Sequence, residues 1–154
     1  MGSYNMISSK KKIIIGYTAG VYDLFHIGHL NILKNSKSLC DKLIVGVSTD
    51  ALVKEYKNKI PIIPQDERME IIRSVKYVDS VMFQDTMDKY SIWEKVKFDL
   101  MIVGDDWYKT EKWNNYEKLF KQVEVRIVYF PHTKGTSSTL INSILVKERD
   151  RIGK

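Results

Sequence analysis

The chain has 154 residues, of which 44% are hydrophobic, enough for one domain with a real core. Its longest strongly apolar run, Ile13 through Val21, is too short for a membrane span and lacks signal-peptide flanks, so stable membrane insertion is not expected and a cytoplasmic setting is. The single cysteine, Cys40, excludes an internal disulfide and offers no second thiol for a zinc site, and the net charge of +6 comes from lysines spread along the chain. Such a surplus suits a polyanionic nucleotide as well as it suits nucleic acid, and no nucleic-acid partner is expected.

Residues 1–11 carry no periodic pattern and read as a flexible tail, with the lysine run Lys10 to Lys12 at its end. Apolar β-rich runs predict strands over Lys12–Thr18, Lys42–Ser48, Val78–Phe83, Leu100–Gly104 and Val125–Phe130. Helical spacing occupies Gly28–Leu39, Pro64–Arg73, Lys89–Lys97, Trp113–Gln122 and Ser137–Glu148. Strands alternating with helices imply right-handed crossovers and a five-stranded parallel sheet flanked by helices, an α/β fold. The predicted domain runs over 12–149, with 150–154 as a second tail.

Ligands of an open parallel sheet sit beyond the carboxyl ends of its strands. The segments after the first, second, fourth and fifth strands are therefore the places to look for chemistry. After the first comes Gly20-Val21-Tyr22-Asp23-Leu24-Phe25-His26-Ile27-Gly28-His29, which places two of the three histidines in one turn at the start of a helix. A helix N-terminus carries unpaired N–H groups and partial positive charge, so imidazoles beside it can grip phosphate oxygens. A lone histidine would more often cap or pack; a pair at a strand end points to a site.

After the second strand, Asp50 is followed by Lys57 and Lys59, candidates for holding phosphate, although surface lysines are commonly just solvated. Glu67-Arg68 and Lys76-Tyr77-Val78-Asp79 bracket the approach to the third strand, with Arg68 a candidate ligand or structural ion-pair partner. The fourth closes on Gly104-Asp105-Asp106-Trp107, where adjacent carboxylates can accept from an amino group or hydroxyl, or simply terminate the strand. Past the fifth, His132-Thr133-Lys134-Gly135-Thr136-Ser137-Ser138-Thr139 combines a glycine turn, hydroxyls and a helix start, a design that cradles phosphate.

The two histidines spaced His-x-Gly-His and the hydroxyl-rich C-terminal turn together resemble the cytidylyltransferase family, over about Ile13 to Ile144. The resemblance implies a single Rossmann-like domain that moves the nucleotidyl part of CTP onto a phosphorylated small alcohol. It implies catalytic roles for His26, His29, Lys57 and Lys59. Nucleotide binding falls to Val21, Tyr22, Asp23, Gly28, Asp105 and the run from His132 to Thr139, and acceptor binding to Lys57, Arg68, Lys89, Asp106 and Trp107. Mg²⁺ is the implied cofactor, held largely by nucleotide phosphates with Asp23 as a candidate ligand, and a homodimer is the implied assembly, with the first helix at its contact. His132 stands where the family has arginine and Lys134 where it has glutamate, which moves the permanent charge two residues along.

Gly104-Asp105-Asp106-Trp107 is similar to glycerol-3-phosphate cytidylyltransferases and points to CDP-glycerol as product, whereas Val21 to Phe25 is more similar to the choline-phosphate type. The alternatives are therefore phosphocholine or phosphoethanolamine as acceptor, or ATP with a different phosphate. A non-catalytic nucleotide- or RNA-binding module is the rival from another class.

Overall fold

The computed structural model describes residues 12–104, 108–131 and 138–152. In chain order the elements are β1 (Ile15–Gly20), α1 (Ile27–Lys37), β2 (Lys42–Ser48), α2 (Asp50–Lys57), α3 (Gln65–Arg73), β3 (Ser80–Gln84), α4 (Lys89–Val96), β4 (Leu100–Gly104), α5 (Glu111–Lys121), β5 (Arg126–Phe130) and α6 (Ser138–Ile152). The strands form one parallel sheet in the order β3-β2-β1-β4-β5. The chain winds outward from β1 to β3, then returns to lay β4 against the other side of β1. In sheets of this kind ligands bind beyond the carboxyl ends of the strands that flank such a reversal, here β1 and β4.

Period-2 alternation splits the core into two layers. Leu43, Val45 and Val47 of β2 face α1 and α3, packing with Leu33, Met69 and Ile72. On the opposite face Tyr17 of β1 packs with Ile92, Phe98, Met101, Trp113 and Phe120, sealing α4 and α5 against the sheet. Tyr17 lies flat on Phe98, ring centroids 5.2 Å apart, and its buried hydroxyl donates to Gln84 Oε1 at 2.7 Å. Gly46, paired with Ala19 on β1, leaves the room this tyrosine needs, for a Cβ at Gly46 would lie 2.0 Å from the Tyr17 oxygen.

Carboxylates close the amino ends of the strands. Asp41 accepts from the Ile14 N–H at 2.8 Å, Asp99 from Ile15 at 2.9 Å and Asp79 from Leu43 at 2.8 Å. Lys37 pairs with Asp79 at 2.6 Å and Lys12 with Asp99 at 3.0 Å. Amino-end N–H groups are thus answered within the chain, which leaves the carboxyl ends to face a ligand.

Several elements depart from those expected. β1 begins at Ile15 rather than Lys12, because the backbone of Ile14 is spent on Asp41 and Lys42. β3 begins at Ser80 rather than Val78, whose N–H is turned back to the Val75 carbonyl. A helix not expected at all, α2, follows β2 directly, capped by the Thr49 side chain, which accepts from the Leu52 N–H. α6 runs to Ile152, past the expected domain end, since no helix breaker occurs before Gly153. Among the described residues no helix is long and apolar enough to cross a membrane.

Candidate active site

The turn from β1 to α1 is held in an unusual backbone path. Tyr22 and Leu24 both adopt left-handed φ, 56° and 51°, a conformation that costs an L-residue energy and persists only where packing enforces it. Tyr22 supplies that packing, for its side chain is buried in the α1 and α3 layer. Gly20 makes room for it, since a Cβ there would meet the Tyr22 ring at 3.0 Å. Tyr22 then meets His29 edge-on, ring centroids 5.4 Å apart.

His26 is the N-cap of α1. Its Nδ1 accepts from the Gly28 N–H at 3.0 Å, while the His26 N–H donates to His29 Nδ1 at 3.3 Å, a reciprocal cap built from two imidazoles. The rings stack with centroids 3.9 Å apart. Because both Nδ1 atoms accept, each neutral ring carries its proton on Nε2 and offers that N–H as a donor. Burial lowers the His26 pKa, and it pushes His29 down to about 4, with the neighbouring His26 charge adding to the effect and Asp23 opposing it. Both rings are therefore neutral donors near pH 7. The first turn of α1 contains no acidic residue to offset its positive end.

Gly28, expected to bring its backbone against phosphate, has its N–H occupied by the His26 ring. Asp23, the candidate metal ligand, directs one oxygen to the Ile63 N–H at 2.9 Å and the other to the Ile62 N–H at 2.8 Å. Among the described residues no three histidine, cysteine or acidic side chains converge as a cation cage.

Lys57 ends α2, and Asn58 then turns the chain through left-handed φ toward Lys59. Burial and the nearby Lys59 charge lower the Lys57 pKa. The two cations face each other closely enough to repel across this turn.

Arg68, expected as an acceptor ligand or as a structural ion-pair partner, takes the second part: it is fully buried on α3 and pairs with Asp50. Nε donates to the Ile63 carbonyl at 2.8 Å, Nη1 to the carbonyls of Val21 at 2.7 Å and Ser48 at 2.8 Å, and Nη2 to Asp50 at 2.6 Å. Four of its five N–H groups are thus used within the chain, which leaves no fork for an acceptor phosphate. Val21, expected at the nucleotide, gives its carbonyl to this hub.

Lys89 opens α4 and is only 8% exposed. Burial, with Lys112 nearby, lowers its pKa to about 8. It follows the carboxyl end of β3 by five residues. Asp105, Asp106, Trp107 and the run His132 to Ser137 lie outside the described residues. Ser138 and Thr139 open α6.

Sequence reasoning missed the joint formed by Asp23, Asp50, Arg68 and the Ile62 and Ile63 backbone. Its only trace in the sequence is the pair Pro61 and Pro64, which stiffens that stretch.

Comparison with known proteins shows the family and the fold. The cytidylyltransferase-like family model matches residues 17–149. The chain is 32% identical over 150 residues to the FAD synthase of Thermococcus kodakarensis, covering 90% of this chain and 97% of that one. It is 36% identical to the FAD synthase of Pyrococcus abyssi over 96 residues, 63% of that protein's length. Among solved structures, the lipopolysaccharide core biosynthesis protein of Thermoplasma volcanium superposes with a TM-score of 0.66 at 27% identity, covering 81% of this chain and all of that one. The pantoate-beta-alanine ligase of Francisella tularensis, at 15% identity and a TM-score of 0.64, shares the fold.

Proposed function

The chain belongs to the cytidylyltransferase-like family of nucleotidyltransferases, and from that premise we propose that it transfers CMP from CTP to a small phosphorylated alcohol, with glycerol 3-phosphate as first acceptor. The observation that carries the transfer is the stacked histidine pair. Two neutral Nε2–H donors are fixed at the positive end of α1, which follows the strand where the winding of the sheet reverses.

The acceptor phosphate is already ionised near neutral pH, so its oxygen can attack the α-phosphorus of CTP without a strong base. One P–O bond forms to the acceptor, the bond to the β-phosphate breaks, and pyrophosphate leaves. Positioning and charge stabilisation dominate such a step. His26 and His29 donate to the triphosphate, and Lys57 and Lys59 supply positive charge to the departing pyrophosphate. Magnesium enters as part of the metal-nucleotide substrate and neutralises phosphate charge.

The choice of CTP and glycerol 3-phosphate is supported by Gly104-Asp105-Asp106-Trp107 at the end of β4. A second reading, adenylyl transfer from ATP to flavin mononucleotide, is favoured by the 32% identity along nearly the whole of an FAD synthase. Pyrophosphate release with each of the four nucleoside triphosphates against glycerol 3-phosphate, phosphocholine, phosphoethanolamine and flavin mononucleotide separates them. A preference for CTP with glycerol 3-phosphate, dependent on Mg²⁺, is expected; equal or better use of ATP overturns the cytidylyl assignment. A homodimer contacting through α1 is part of the same proposal, and sedimentation at twice the 18.0 kDa chain mass is its test.

A further inference from the structure

We propose that Asp23 and Arg68 are positioning residues that latch the segment 58–64 to the histidine turn, and so set the lysines at its root against His26 and His29. The inference deepens the transfer reading above and rests on it.

The segment has little apolar burial of its own to hold it. Ile60 is 67% and Ile62 49% exposed, and Pro61 is its one buried residue. What ties it down is polar. The Asp23 carboxylate receives the Ile62 and Ile63 N–H groups, and Arg68 Nε reaches the Ile63 carbonyl. Ile63 is thus gripped by both its N–H and its carbonyl.

Both grips lead to one place. Asp23 lies in the β1–α1 turn, and Arg68 also holds the Val21 carbonyl two residues before it. The left-handed Tyr22 between them fixes the angle between the two anchors. From the same guanidinium, bonds to the Ser48 carbonyl and to Asp50 reach the end of β2 and the start of α2, the helix that ends on Lys57. Asp50 in turn accepts from the Gln65 N–H, while Gln65 Oε1 accepts from the Asp50 N–H at 2.8 Å. Charge-assisted bonds to a dry guanidinium are strong and directional, and a lysine could not span four acceptors.

Without the latch, Lys57 and Lys59 would still attract a triphosphate, but their alignment with the histidines would no longer be fixed before reaction. Preorganisation of this kind acts mainly on the transition state. Loss of the latch should therefore lower turnover more than nucleotide affinity.

The test uses the full chain with Asp23→Asn, whose carboxamide can accept one N–H but sets an NH₂ against the other. Backbone amide exchange of Ile62 and Ile63 should rise ~10-fold or more while the core strands stay protected. Turnover should fall ~10-fold or more with nucleotide Kd changed by less than about threefold. In a Lys57→Ala/Lys59→Ala background the same substitution should cost less than about twofold, because residues acting through one element are not additive. Arg68→Lys, which keeps the charge and loses the fork, should give the same pattern. Unchanged exchange at Ile62 and Ile63, or fully additive losses with the lysine pair, overturns the latch. A wild-type chain that releases no pyrophosphate with any triphosphate and acceptor overturns the transfer reading instead.

Discussion

His29 shows how one residue can serve structure and chemistry together. Its Nδ1 caps α1 by accepting the His26 N–H, and that cap fixes the Nε2–H as donor. Replacing it with alanine should cut turnover by ~100-fold while nucleotide affinity changes little, as for loss of one preorganised donor; a fall in affinity with unchanged turnover would make it a ground-state ligand. The histidine also links stability to pH. Its folded pKa of about 4 lies below the ordinary 6.5, so the unfolded chain binds the proton more readily. The stability this contributes is present above 6.5 and lost as pH falls toward 4. Thermal melts of wild type and His29→Asn, whose carboxamide can still accept the cap bond, should converge over that interval. The histidine pair was legible in the sequence as the turn that opens the first helix, but its tautomer was not, since that depends on which nitrogen the folded backbone engages. Whether Arg68 is a ligand or an ion-pair partner was open for a related reason: nothing local shows that four carbonyl and carboxylate acceptors converge on it. At the C-terminal turn, Lys134→Ala should impair catalysis more than His132→Ala, with the His132 effect growing toward acidic pH, because lysine keeps its charge where an unperturbed histidine loses it; wild-type kinetics for Lys134→Ala at every pH tested would remove that idea.

Among the elements, the five strands were readable because buried parallel strands are nearly continuous apolar runs, as in Leu43 to Val47 and Leu100 to Val103. The helix α2 was not, since eight residues bury only Leu52 and Val53 and the rest are largely charged, too short a stripe to register as a period. Its Thr49 cap and first-turn Asp50 were the signals available. Strand starts shifted where side-chain carboxylates replace ladder partners, as Asp41 does at Ile14. Two predictions belong here. Gly46→Ala forces a methyl into the Tyr17 hydroxyl and should destabilise by about 1–3 kcal/mol, with Tyr17→Phe in the same chain recovering part of the loss. Denaturant melts decide it, and an unchanged midpoint would refute the packing account. At the amino ends, burial raises the Asp79 pKa, but the Lys37 hydrogen bond, the Leu43 N–H and the charges of Lys37 and Lys42 outweigh it and hold the carboxyl below its usual 3.8. Its contribution is present above that value and lost as pH falls through the lower folded pKa. The gap in melting temperature between wild type and Asp79→Asn should therefore narrow below pH 3.8.

For the whole molecule, the strand order β3-β2-β1-β4-β5 places the histidine turn at the reversal of winding, with the lysine arm latched beside it. Alternation of strands and helices made the parallel sheet legible. It did not make the acceptor legible, because one fold serves proteins as different as an FAD synthase and a pantoate-beta-alanine ligase. The central claim is that this frame transfers a nucleotidyl group from CTP to an acceptor phosphate. The direct measurement is pyrophosphate release by the purified chain with Mg²⁺, each nucleoside triphosphate and each candidate acceptor, followed by mass identification of the product. The account predicts release with CTP and glycerol 3-phosphate and a product of CDP-glycerol mass. Release only with ATP and flavin mononucleotide, or none with any pair, would contradict it.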